Sequence, residues 1–161
     1  SELEAATRWA LSAVEVASGV NNHMGSELSA DAARMSTILG VLAERDLFYL
    51  DSRTSPESVG YRLALEMGMA AAERQVFLDP DAAPPAIRRQ FRRPPEVARE
   101  RRSAVAIGHP HAETLSVLRE EVPLALAAGF EFVPVSALTR RGAAAGVRTA
   151  QSERSTSTGL E

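Results

Sequence analysis

An α/β fold built from parallel βα units is predicted by three features of this sequence. Short apolar runs end at Val20, Leu50, Leu78, Ile107 and Val135, at intervals of 30, 28, 29 and 28 residues. One βα unit takes about 30 residues. The runs are mostly continuous rather than alternating, as in strands buried on both faces of a parallel sheet. Between them lie longer stretches with helical spacing. No side-chain pattern recurs at the same interval, so the repetition is one of structure and not of sequence.

Taken in order, residues 1–9 are polar and helical in character, with neither the apolar segment of a secretory leader nor a run able to span a bilayer. The first strand ends at Val20. Ser29 is placed to cap a helix through about Glu44, because Met35, Ile38, Leu39 and Leu42 fall on one face. A strand is expected at residues 47–50. Ser55 followed by Pro56 reads as a helix cap with proline at the first helical position, and Gly68 as its stop. Further strands are expected at residues 75–78, 104–107 and 130–133. The pairs Pro84-Pro85 and Pro94-Pro95 confine residues 86–102 to two short helices. Residues 139–161 turn to Arg, Gly, Ala, Ser and Thr and are expected to form a flexible tail behind a domain spanning residues 1–138.

Composition excludes several chemistries. The chain has 161 residues, 45% hydrophobic and 24% charged, with a net charge of -3. That balance fits one soluble domain and supplies no global positive field for nucleic acid or anionic lipid. All 18 basic residues are Arg. Without Lys there is no Schiff base or P-loop lysine. Without Cys there is no thiolate nucleophile, disulfide or iron–sulfur ligand. Seven arginines lie in residues 88–102, where a solvated helix face explains them better than a phosphate-binding one.

In a parallel sheet the loops after the strands open on one face, where α/β folds place their sites. Asn21, Asn22 and His23 follow the first strand; Asp51, Ser52 and Arg53 the second; Asp79 the third; His109 and His111 the fourth; Ser136 the fifth. Asn21 and Asn22 suit either a turn or a ligand contact. His23 lies in a polar loop beside Gly25. Arg53, two residues from Asp51, favours an ionised carboxylate. Asp79 reads first as a loop start. His109 is held between Gly108 and Pro110, which aims its ring over the sheet edge, while His111 is expected to face solvent. Imidazoles and carboxylates in one cleft serve metal-assisted hydrolysis or general acid–base catalysis. No Gly-x-Gly-x-x-Gly and no Gly-x-Ser-x-Gly is present, which disfavours dinucleotide redox chemistry and serine hydrolysis.

The ordered set Gly19-Val20-Asn21-Asn22-His23-Met24-Gly25-Ser26, Leu50-Asp51-Ser52-Arg53-Thr54-Ser55, Val76-Phe77-Leu78-Asp79, Ala106-Ile107-Gly108-His109-Pro110 and Val133-Pro134-Val135-Ser136 resembles the divergent polysaccharide deacetylase family. The resemblance implies a (β/α) barrel-like fold, a divalent metal, most often zinc, and hydrolysis of acetyl groups from N-acetylated carbohydrate. It implies His23 as a metal ligand, His109 as the proton donor to the leaving amine, and Asp51 and Arg53 beside it. Asn21, Asn22 and Ser52 are the expected substrate contacts. A periplasmic or cell-envelope setting is implied too. The family's opening Asp-Asp strand and His-rich strand are absent, and five units are too few to close a barrel of about eight strands. The expectation is therefore a domain incomplete at its N-terminus, with most metal ligands upstream and open edges that favour self-association. A non-catalytic envelope module binding glycan or protein on the same fold is the alternative expectation, and an α/β domain whose polar loops are only turns is a third.

Overall fold

The computed structural model describes residues 1–141. Helix α1 (Glu2–Ser12) opens with a reciprocal Ser1–Glu4 capping box. Strand β1 (Gly19–Asn21) follows, then α2 (Ser26–Ala30) and α3 (Ala32–Ala43). The helix expected from Ser29 is thus divided. Asp31, in extended conformation, breaks it and accepts the Arg34 amide at 3.0 Å, capping α3. Ser29 is buried in α2, and its hydroxyl is spent on the Ser26 carbonyl.

Strand β2 (Phe48–Asp51) leads to α4 (Gly60–Glu66). Helix α4 does not start at Pro56: the Ser55 hydroxyl accepts the Glu57 amide in a local turn, and the helix begins four residues later. Its N-terminus is capped from a distance by the Asp51 carboxylate, which accepts the Tyr61 amide at 3.0 Å. Gly68 ends α4 as expected. At φ 75° it lets its own amide reach Leu65 O and the Met69 amide reach Ala64 O, closing a Schellman motif.

Strand β3 (Ala70–Glu73) is an addition to the sequence expectation, since a run of alanines carries little strand preference of its own. Two residues later comes β4 (Val76–Phe77). The two prolyl-started helices are present as α5 (Pro84–Phe91) and α6 (Arg93–Arg101). They precede β5 (Ala106–Ile107), α7 (Ala112–Ala127), a 3-10 turn at Val135–Leu138 and β6 (Arg140–Arg141). No strand forms at residues 130–133. The Phe130 amide donates to Ala125 O as part of the α7 cap around Gly129, φ 87°, and the Phe130 ring packs against the core.

The strands form a four-stranded sheet in the order β1-β2-β3-β6 and a two-stranded sheet of β4 and β5. All pairings are parallel except β3 with β6, which is antiparallel. Residues 70–78 therefore run first beside β2 and then beside β5. Gln75 spans the changeover: its side-chain oxygen accepts the Val105 amide at 2.7 Å and its side-chain nitrogen donates to Glu73 O. Met35, Leu39 and Leu42 of α3 pack with Tyr49, Ala64 and Ala71 in the larger core cluster. Val76, Leu78, Phe91 and Ala125 make the smaller one. Residues 140 and 141 of the expected tail are thus paired in β6, and residues 142–161 lie outside the described residues.

Candidate functional site

The strand carboxyl ends meet at a cavity of about 280 Å³. Asn21 and His23 come from the loop after β1; Ser52, Arg53 and Thr54 from the loop after β2; Arg74 follows β3; Phe77 lies on β4; Gly108 and His109 follow β5. Four of the five expected loops supply its lining or its support. The Val135–Ser136 segment does not line the cavity, because it is a 3-10 turn and not a strand end.

His109 is anchored to a buried carboxylate. Its Nδ1 lies 3.1 Å from Asp79 Oδ1, and its own amide donates to Asp79 Oδ2 at 2.7 Å. Buried Thr114, on α7, donates its hydroxyl to the same Oδ2 at 2.7 Å. The Asp79 side chain is 0% exposed and that of His109 is 35% exposed. Burial works to raise the Asp79 pKa, but the Thr114 hydroxyl and the His109 amide and ring together hold it below its ordinary value. An ionised carboxylate only accepts, so the Nδ1 proton sits on His109 and leaves Nε2 as the nitrogen for a ligand. Asp79, read first from sequence as a loop start, is the carboxylate that holds His109. The Leu78-Asp79 strand end opposite Gly108-His109 was the available signal, because parallel pairing of β4 with β5 sets these loops side by side.

Asp51 takes a different part from the one expected. It is 0% exposed, is not among the cavity's lining residues, and accepts from the Arg53 amide, both ways from the Ser58 hydroxyl, and from the Tyr61 amide. The carboxylate beside His109 is Asp79 instead. Asn22 is likewise committed: its oxygen accepts the Tyr49 hydroxyl at 3.0 Å and the Ser52 amide at 2.8 Å, and it is not in the lining. Asn21 does line the cavity and donates to the Ser52 hydroxyl at 3.1 Å. Arg53, at φ 49°, pairs with Glu73 at 3.2 Å. Arg74, unremarked in the sequence, donates Nε to Ser52 O at 2.6 Å and Nη2 to Arg53 O at 2.7 Å, pinning that strained loop. Its guanidinium lies over the Phe77 ring.

Three imidazoles share one corner. The His23 and His109 ring centres are 5.5 Å apart, and those of His109 and His111 are 5.2 Å apart. One ligand atom from each of Asp79, His109 and His111 lies within 4.8 Å of the others. Imidazole and carboxylate are the donor types that hold zinc and similar divalent ions, so the residues fit such a group. His111 thus stands beside the site and not apart from it, although it is exposed as expected. A second cavity of about 330 Å³, lined by Tyr61, Glu73, Gln75, Arg101, Ser103 and Arg140 among others, contains no imidazole. The described residues with proton-transfer chemistry at neutral pH therefore gather at the first cavity.

The family model described as divergent polysaccharide deacetylase matches residues 1–139. An uncharacterized protein of Haemophilus influenzae is 42% identical over 106 residues, covering 66% of this chain and 38% of that protein. The uncharacterized protein YibQ of Escherichia coli is 38% identical over 121 residues, covering 75% of this chain and 38% of its own length. The chain thus spans well under half of these curated relatives. Among solved structures, the uncharacterized protein ATU2773 of Agrobacterium tumefaciens C58 matches with a TM-score of 0.73 at 24% identity, over 75% of this chain and 49% of that one, which is a likeness of fold.

Proposed function

The chain belongs to the divergent polysaccharide deacetylase family, and from that premise we propose that it forms part of a metal-dependent hydrolase of the cell envelope that removes acetyl groups from N-acetylated carbohydrate. The observation that carries this reading is the Asp79–His109 pair, a buried carboxylate fixing a half-exposed imidazole at the wall of the cleft.

The residues divide the work. His109, oriented through Nδ1, presents Nε2 to the cleft and donates a proton to the departing amine nitrogen there. Asp79 is its positioning residue: it fixes the tautomer and stabilises the imidazolium between proton transfers. Thr114 in turn fixes Asp79. Asn21, Ser52 and Arg53 offer an amide, a hydroxyl and a guanidinium to the sugar and its acetyl oxygen. His111, whose ring shares a corner with Asp79 and His109, and His23, on the other side of His109, are the imidazoles we assign to a zinc-like ion. Bound there, such an ion would supply an acidified water and polarise the acetyl carbonyl.

The test is acetate release from N-acetylglucosamine oligomers by the intact protein, with metal content measured after dialysis. His109→Ala is expected to lower kcat by about 10²- to 10⁴-fold. Asp79→Asn is expected to lower kcat with KM nearly unchanged, whereas a merely structural Asp79 would lower the fraction of active protein and leave kcat per active site intact. His23→Ala is expected to lower bound metal. Intact protein that holds no metal and releases no acetate would overturn the reading in favour of a binding module.

A further inference from the structure

The charges around the cleft are not balanced. Its lining includes two arginines and two histidines and, among the described residues, no carboxylate. Arg53 is matched by Glu73, which stands behind it at 3.2 Å. Asp79 is buried behind His109 and already accepts three donors. Arg74 makes no ion pair among the described residues: its partners are the carbonyl oxygens of Ser52 and Arg53. Burial, and next the positive charge of Arg53, hold Arg74 below its ordinary pKa, with the buried Asp51 offsetting only part of this. Two guanidinium groups are thus fixed close enough to repel in the lining of a concave site, and one of them has no ion-pair partner among the described residues.

Such an arrangement costs stability in the free protein and is relieved by an anion. Both groups are held by hydrogen bonds that leave donors over. Arg74 keeps Nη1 free of partners among the described residues, and Arg53 keeps Nε. Little side-chain entropy remains to be lost on binding, because each guanidinium is already clamped.

We propose that the cleft selects an anionic saccharide, one whose sugar carries a carboxylate or a phosphate that lies against Arg74 and Arg53. This rests on the reading of the cleft as the carbohydrate site and names the class of sugar it takes. A neutral N-acetylated sugar leaves the excess charge unanswered; an acidic one answers it.

The experiment is calorimetric titration of the chain with three probes at low and at moderate salt: chitotetraose, a hyaluronan tetrasaccharide bearing glucuronate, and N-acetylglucosamine 6-phosphate. At least one anionic probe is expected to bind about tenfold or more tighter than chitotetraose, since hydrogen bonds to charged groups are stronger than those between neutral ones. Which of the two does so distinguishes carboxylate from phosphate. The preference is expected to shrink as salt rises. Arg74→Gln and, separately, Arg53→Gln are expected to remove most of it, while Arg89→Gln, the same charge change at an exposed position of α5, leaves it intact. The preference of the unmutated chain tests the idea even if Arg74→Gln unfolds the loop. Equal affinity for neutral and anionic probes, or none for any, overturns it. Acetate release measured in parallel on the intact protein separates the two readings: anionic preference without hydrolysis sinks only the hydrolase, and hydrolysis without preference sinks only this inference.

Discussion

Asp51 and Asp79 are both carboxylates at strand ends, and their fates differ because of the donors each one meets. Asp51 finds the Arg53 and Tyr61 amides and the Ser58 hydroxyl and becomes the peg on which the loop after β2 is hung. Asp79 finds an imidazole. The tripeptides Leu50-Asp51-Ser52 and Leu78-Asp79-Pro80 do not separate these outcomes, since apart from the Arg53 amide, two residues on, the partners lie seven to thirty-five residues away. His23 and His109, by contrast, were legible, because a histidine in a polar loop after a strand points to the same edge in any parallel sheet. Asp51→Ala is expected to cost about 2–4 kcal/mol, as three donor groups lose a charged acceptor. Chemical denaturation of the variant reads that loss. A change below about 0.5 kcal/mol would reverse the structural role given to Asp51.

At the level of elements, helix stops were easier to read than helix starts. Gly68 requires left-handed backbone and announces itself. The start of α4 rests on a carboxylate ten residues upstream, and the start of α3 on Asp31 and not on the equally plausible Ser29. Two serviceable caps close together cannot be ranked without knowing which hydroxyl is already spent. Asp31→Ala is expected to destabilise by about 1 kcal/mol and Ser29→Ala by less than its capping role would demand, which paired thermal melts distinguish. Strand β3 was illegible for another reason. Its alanines fit because α4 crosses closely above them, with buried Ala64 beside Ala71 in the core, and small residues chosen for close approach look featureless in a chain read alone.

Across the whole molecule, the parallel α/β architecture was recoverable from period alone, while the division into two sheets and the antiparallel β6 were not, since both depend on where an extended stretch changes neighbours. The protein as a whole also has an acid limit that one buried group helps to set. Because the folded-state pKa of Asp79 is lowered, its contribution to stability is full above the unfolded value and disappears as pH falls through the folded one, below about pH 4. Melting temperatures are expected to drop more steeply below that pH for the unaltered chain than for Asp79→Asn; parallel curves would remove Asp79 from the account. The changeover at Gln75 has a mechanical meaning as well. Arg74 follows the first sheet and His109 the second, and the changeover is bridged by Gln75, by the continuous backbone and by the Arg74 guanidinium over the Phe77 ring. A slip between the sheets therefore opens or narrows the distance from guanidinium to imidazole, so a molecule gripping both would act as a rivet, and the amides of Gln75 and Val105 would report its arrival by slower exchange with solvent.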